Sequence, residues 1–217
     1  MENPVANYGR IKLKAVKKAL EDNRFEACVA EDTEEARKIV LETIVPKLEG
    51  GVVSWGGSVT LGECRVTKWF HESPDWDVIS INEKGIDAAE KYDRRRRALT
   101  SDLYFLSANA VTEDGVLVNL DMIGNRVAAL TFGPEKVVVL VGRNKICADL
   151  FDAMERVKSY ASPANCMRLD MKTPCVKTAS CHDCSVDDRI CNNWTITEKS
   201  FPAGRTSVIL INQDLGL

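Results

Sequence analysis

Residues 107–145 read SANAVTEDGVLVNLDMIGNRVAALTFGPEKVVVLVGRNK, and this mixture of apolar runs with turn chemistry sets the fold class. Lys136 to Val141 is a continuous β-branched and aliphatic run, the pattern of a strand buried on both faces of a parallel sheet. Before it, Gly133-Pro134 stops a short helix that Gly124-Asn125 opens and Arg126 to Leu130 continues. Earlier still, Asp114-Gly115 is a two-residue hairpin signal, because a tight primed turn needs positive φ and glycine supplies it without steric cost. The flanking runs, Leu103 to Val111 and Val116 to Leu120, are expected to pair as antiparallel strands. Polar groups among apolar runs are costly in a plain core, since each buried one needs a partner. Asn109, Glu113, Gly124 and Asn125 are therefore read as one wall of a cleft, with the amides at the helix start offering an anion contact.

Working outward, Gly50 to Glu63 is a second candidate. A short buried strand runs into Gly56-Gly57 and a helix start at Ser58, an arrangement in which backbone amides approach a phosphate or carboxylate. Gly56, Gly57, Ser58 and Thr60 are its ligand candidates. The competing reading is a plain strand-to-helix turn with Ser58 as an ordinary N-cap.

Strands and helices alternate elsewhere. Tyr8 to Glu21 is an amphipathic helix with Ile11, Ala15, Val16, Ala19 and Leu20 inward and its lysines solvated. Phe25 to Ala30 is a strand, and Asp32 with Glu35 opens a helix through Leu48. Asp77 to Asn82 is a strand, and Glu83 to Arg97 an exposed helix whose Arg94-Arg95-Arg96-Arg97 end suits the helix dipole as a solvated end, with partner or anion binding as the alternative. Cys147 to Tyr160 is an amphipathic helix with Leu150, Met154, Val157 and Ala161 inward, and Thr206 to Asn212 is a last strand. The class is α/β, with helices on both faces of the sheet and a β-hairpin inserted near Asp114.

The chain has 217 residues, 29 Lys plus Arg against 32 Asp plus Glu, and a net charge of −3. Length suits a single domain over 1–217, and the charge balance argues against a nucleic-acid binder. No run approaches the roughly 20 apolar residues of a membrane span. The opening Met-Glu-Asn-Pro-Val-Ala-Asn-Tyr lacks the basic and apolar parts of a signal peptide, so a cytoplasmic protein with reduced thiols is expected. Several apolar surfaces leave a homo-oligomer open.

Two histidines, His71 and His182, leave little for a Ser-His-Asp or zinc-water hydrolase. Eight cysteines are spread unevenly. Cys28, Cys64 and Cys147 stand in apolar or helical contexts as small hydrophobes. Cys175, Cys181, Cys184 and Cys191 crowd a turn-rich segment, at about 166–192, that has few core residues to order it. A Cys-x-x-Cys pair with two outlying cysteines is the donor set of a thiolate site for zinc or an iron-sulfur cluster, and a redox disulfide or inert thiols are the alternatives.

Three ordered motifs, the 107–146 stretch, GGSVTLGE at 56–63 and TPCVKTASCHDCSVDDRICN at 173–192, resemble the LUD-domain family, formerly DUF162, which includes lactate utilization protein C. The resemblance implies a NagB/RpiA/CoA-transferase-like sheet. It also implies a place beside iron-sulfur subunits that oxidise lactate to pyruvate, a small carboxylate or phosphate ligand, and a metal centre that is more readily iron-sulfur than zinc. A different class of function follows from Thr112-Glu113-Asp114-Gly115, which resembles the Ser-Glu-Asn-Gly stretch of CoA-transferases and would make Glu113 the nucleophile, or the base of an isomerase-like enzyme. A third reading is a zinc-ordered structural scaffold without chemistry.

Overall fold

A computed structural model describes residues 3–217; Met1 and Glu2, which begin the segment read as lacking a leader, lie outside it. Helix α1 (Pro4–Asp22) opens with Asn3 accepting the amides of Val5 and Ala6 and with proline at its first position, where a missing N–H costs nothing. Strand β1 (Glu26–Ala30) leads to α2 (Thr33–Ile39), capped by Asp32 and continued through a π turn and a 3-10 turn to Lys47. Then come β2 (Gly51–Trp55), α3 (Val59–Cys64), α4 (Val66–Glu72), β3 (Trp76–Ile79), α5 (Ala88–Arg97) and β4 (Leu103–Leu106). The central stretch forms β5 (Ala110–Thr112), β6 (Leu117–Asp121), α6 (Asn125–Thr131), β7 (Lys136–Gly142) and β8 (Ile146–Cys147). Helices α7 (Leu150–Arg156), α8 (Ser162–Arg168) and α9 (Cys175–Thr178) precede β9 (Asn193–Thr197) and β10 (Thr206–Ile211).

Six strands form a wholly parallel sheet in the order β1-β10-β7-β4-β2-β3. Strand β7 shows why its run is apolar throughout. Val137, Val139 and Val141 pack with Leu13, Val16 and Leu20 of α1, whereas Val138 and Leu140 pack with Ala36, Leu61 and Phe70 on the other face. The two-residue side-chain period of a strand thus serves two cores at once. Each fully buried Val or Leu contributes roughly 1.5–3 kcal/mol. The α/β expectation, helices on both faces of a parallel sheet, holds.

A second sheet, β8-β5-β6-β9, stands beside the first and packs on α7 through Ala110, Val118, Cys147, Ala153 and Val157. The hairpin is shorter than the sequence suggested. Residues 103–106 belong to the parallel sheet, so only β5 pairs with β6, in the register Ala110↔Val118 and Val111↔Leu117. Its loop has three residues, closed by Thr112 N–H donating to the Val116 carbonyl and Gly115 N–H to the Thr112 carbonyl. Gly115 is left-handed at φ +83°, the geometry of a type I turn followed by a bulge glycine rather than a two-residue primed turn. A Cβ at Gly115 would sit 2.8 Å from backbone atoms of Ala19 and Leu20 in α1. Gly115→Ala is therefore expected to lower unfolding free energy by about 1–3 kcal/mol in chemical denaturation, from strain plus clash; a neutral result would mean that α1 and the hairpin separate easily.

Two further corrections concern helix faces. In α1 the buried residues are Gly9, Leu13, Val16 and Leu20, and Ile11 is exposed, because the sheet selects a stripe rotated from the one read in sequence. Cys147 lies in β8 rather than in a helix, and Leu150 at the start of α7 is exposed, while Val157 and Ala161 do turn inward. No helix among the described residues is long and apolar enough to cross a membrane.

Candidate functional site

The chain leaves β2, adds β3 on one side of it and returns to place β4 on the other, so the strand order reverses between β2 and β4. Ligands of open α/β sheets bind in the crevice at the carboxyl ends of strands flanking such a reversal. Here the loops after β2 and β4, together with residues following β7, enclose a cavity of about 240 Å³. That is below the ~300–1,000 Å³ of pockets for drug-sized ligands and suits a smaller molecule. Gly57, Ser58, Thr60, Asn109 and Asn125 all line it, so motifs far apart in sequence meet there.

Their roles differ. Ser58 caps α3, accepting the Leu61 amide at 3.3 Å, as the plainer reading had it. Gly57 has open space where a Cβ would stand. Gly56 does not line the cavity; a Cβ there would come within 3.1 Å of Arg126, so the glycine makes room for that arginine. Gly124, left-handed at φ +95°, starts α6 and donates its amide to Asp121 at 3.0 Å, also outside the lining.

Arg126, Arg168 and Lys145 were not among the site residues read from sequence, and Arg95 was read there only as part of the arginine run. The Arg126 guanidinium donates to Asp121 Oδ1 at 3.2 Å, to Asn119 Oδ1 at 2.9 Å and to Asn109 Oδ1 at 2.8 Å. It also donates to the carbonyls of Ser107 at 2.7 Å and Leu120 at 3.1 Å. Asn109 Oδ1 in turn accepts the Leu120 amide at 3.0 Å, so Arg126 and Asn109 bind the hairpin to α6 and are spent on structure. Arg95 and Arg168 line the same cavity with capacity to spare. Arg168 bonds only the Asn165 side chain, and Arg95 has no hydrogen bond or ion pair among the described residues. Of the rest of the run, Arg96, over the Tyr92 ring, and Arg97, paired with Asp93, are exposed, whereas Arg94 is largely buried and pairs with Glu83 and Glu90 while donating to the Ser80 carbonyl.

Lys145 lies among these groups, 4% exposed, with Nζ 3.0 Å from both Thr60 Oγ1 and Ser107 Oγ. Burial, then the positive charges of Arg156 and Arg126, hold its ammonium down to about 7. One signal was available in sequence: Lys145 follows the β7 run by three residues, at the carboxyl edge where sites form.

Glu113 is elsewhere. It forms an ion pair with Lys12 of α1 at 2.8 Å, raising the Lys12 pKa, and is not part of the cavity lining. His71 packs edge-on against Trp55, in line with a structural role.

A second, narrow cavity of about 20 Å³ abuts the first, sharing Ser162 and Ile190 as a common wall. Cys175, Cys181, Cys184 and Cys191 all line it, and so does Cys166, which sequence spacing left unassigned. Cys166 is 1% exposed and bonded to Cys175, its thiol pushed up to about 11 chiefly by burial. The Cys175 thiol is also 3.1 Å from the Thr173 hydroxyl. Lys158 and Arg189 line the same cavity, and both pair with Asp183 at 2.9 Å. Soft thiolate donors with cations nearby suit zinc or an iron-sulfur centre in donor chemistry. Among the described residues, no three Cys, His, Asp or Glu side chains stand close enough to hold one ion as placed.

A sequence model of the LUD domain matches residues 13–211. Among solved structures, a DUF162 family protein from Deinococcus radiodurans is similar over 94% of this chain and 97% of its own, with 12% identity and a TM-score of 0.49. No curated protein matches the sequence.

Proposed function

The chain belongs to the LUD-domain family, which is associated with lactate utilization, and from that premise we propose that it binds a small 2-hydroxy or 2-oxo acid within an iron-sulfur lactate-oxidising assembly. The observation that carries the reading is a cavity sized for a small acid, with Arg95 and Arg168 available to a carboxylate and Lys145 behind them. The shared wall of Ser162 and Ile190 adds to it, because a redox centre held by the cysteines would lie beside the bound acid. Four of Cys166, Cys175, Cys181, Cys184 and Cys191 would hold that centre, and its chemistry when bound would be electron transfer to partner subunits. The protein's own groups do the rest: Arg95 and Arg168 fix the acid, and Thr60, Ser107 and Lys145 contact its polar end. The CoA-transferase reading gains no support, since Glu113 faces Lys12 instead of the cavity.

Calorimetric titration of anaerobically purified protein tests this. Lactate or pyruvate is expected to bind while the neutral amide lactamide does not, and Arg95→Ala with Arg168→Ala is expected to weaken binding at least tenfold, since a charge-assisted bond is worth about 1.5–3 kcal/mol. If neither acid binds, or lactamide binds equally, the reading fails. Iron and sulfide in the purified protein would support the redox centre, and zinc alone would leave the cysteine segment structural.

A further inference from the structure

We propose that Lys145 is a covalent catalytic residue, forming an imine through Nζ with the carbonyl carbon of a 2-oxo acid held in the cavity between β2, β4 and β7. This rests on the acid-binding reading and adds chemistry to it. A lysine 4% exposed in a ligand-sized cavity is unusual unless it is paired with a carboxylate, and Lys145 has two hydroxyls as partners instead, Thr60 Oγ1 and Ser107 Oγ, each at 3.0 Å. Hydroxyls accept from an ammonium and donate to a neutral amine, so this surrounding tolerates both forms and lets the proton leave. An acidic partner would have locked the charge in place. The charged and titratable groups that weigh most on Lys145 are Arg156 of α7 and Arg126 of α6, which disfavour its charge, and Glu63 and Cys64 of α3, which favour it more weakly; Arg95, Arg168 and Asp121 line the same cavity. The outcome, a pKa near 7, leaves a substantial neutral fraction at neutral pH.

The step balances without a co-reactant. The Nζ lone pair attacks the C2 carbonyl carbon, and the former carbonyl oxygen leaves as water after taking up two protons, one from the nitrogen and one from solvent through the Ser107 or Thr60 hydroxyl. A protonated imine remains. Its positive nitrogen acidifies the adjacent C3–H; loss of that proton gives an enamine, and reprotonation followed by hydrolysis returns amine and 2-oxo acid. The resulting activity is exchange of C3 hydrogens with solvent, and it commits the cavity to 2-oxo rather than 2-hydroxy acids for covalent capture.

The test uses wild-type protein with pyruvate and sodium borohydride, followed by intact mass and peptide mapping. A single stoichiometric reduced adduct on Lys145 is expected, with trapping that rises between about pH 6 and pH 8 as the amine loses its proton. In D2O, proton spectroscopy is expected to show loss of the pyruvate methyl signal at a rate at least tenfold above the free-solution rate. Lys145→Met should abolish both, and Lys145→Arg should abolish both while retaining positive charge. Because the adduct is mapped on the wild-type chain, an unstable variant does not block the result. Pyruvate binding by calorimetry without an adduct, or an adduct spread over surface lysines, overturns the covalent role and leaves the acid-binding reading standing. Absence of any pyruvate binding overturns both.

Discussion

Arg126→Ala is expected to lower unfolding free energy by about 3 kcal/mol, the lower end of the cost of removing one partner from a buried, hydrogen-bonded ion pair, because this pair is part-buried. The side chains of Arg126 and Asp121 are only 12% and 15% exposed, so solvent screens their attraction little. Four further acceptors depend on the same guanidinium: the Ser107 and Leu120 carbonyls and the side chains of Asn109 and Asn119. Removing Arg126 leaves those acceptors and a carboxylate poorly compensated, and each unmet buried group costs roughly 1–3 kcal/mol before water enters. For a domain of this size the melting temperature should fall by about 10 °C, at ~2–4 °C per kcal/mol. Arg126→Lys should recover little, since one ammonium cannot occupy acceptors spread around a planar fork. A loss below about 1 kcal/mol would mean that the bracket between the hairpin and α6 is redundant. Gly56→Ala should show a smaller loss through the same contact, because its Cβ would press on Arg126.

The dependence on Arg126 marks where sequence reading stopped. The parallel sheet was legible in the unbroken apolar run of β7 and in the glycine-rich exit from β2, because two-sided burial leaves a one-dimensional trace. Five of the seven proposed ligand positions line the cavity for a related reason: turn chemistry at strand ends is local, and strand ends are where cavities form in this architecture. Of the second sheet only the β5–β6 hairpin left a trace. Strand β8 is two residues long, and β9, although Asn193 to Thr197 alternates polar and apolar residues, is five residues long, part-exposed and set behind a turn-rich segment, so its pairing with β6 is decided by tertiary contact. Lys145 and Arg168 were illegible on the same grounds, while Arg95 stood within a basic run whose solvated reading outweighed anion binding. A lone Lys or Arg reads as solvated, and only folding brings Lys145 to Thr60, 85 positions away. Cys166 was passed over because it lies within α8, ahead of the crowded cysteines in sequence, while the fold places it against Cys175 in space.

Lys145→Met is expected to make the protein more stable at pH 6 and to remove its covalent chemistry. Burial lowers the lysine from an ordinary 10.5 to about 7 in the folded state. Below about pH 7 both folded and unfolded chains carry the proton, and the folded one bears the full desolvation penalty, roughly 5 kcal/mol at ~1.4 kcal/mol per unit. Between about 7 and 10.5 the folded chain has released its proton and the unfolded chain has not, so stability climbs with pH across that window; above 10.5 the penalty is gone. Methionine has similar length and no charge, so it escapes the penalty, and the two lost hydrogen bonds to Thr60 and Ser107 return about 1 kcal/mol each. The net gain at pH 6 is about 3 kcal/mol, read as a higher urea midpoint that converges on wild type and then falls below it as pH approaches 10. A variant less stable than wild type at pH 6 would mean that the cavity accommodates the ammonium well, and that Lys145 is retained for structure. The predicted opposite, a substitution that gains stability and loses exchange, is the signature of a destabilising group kept for its chemistry.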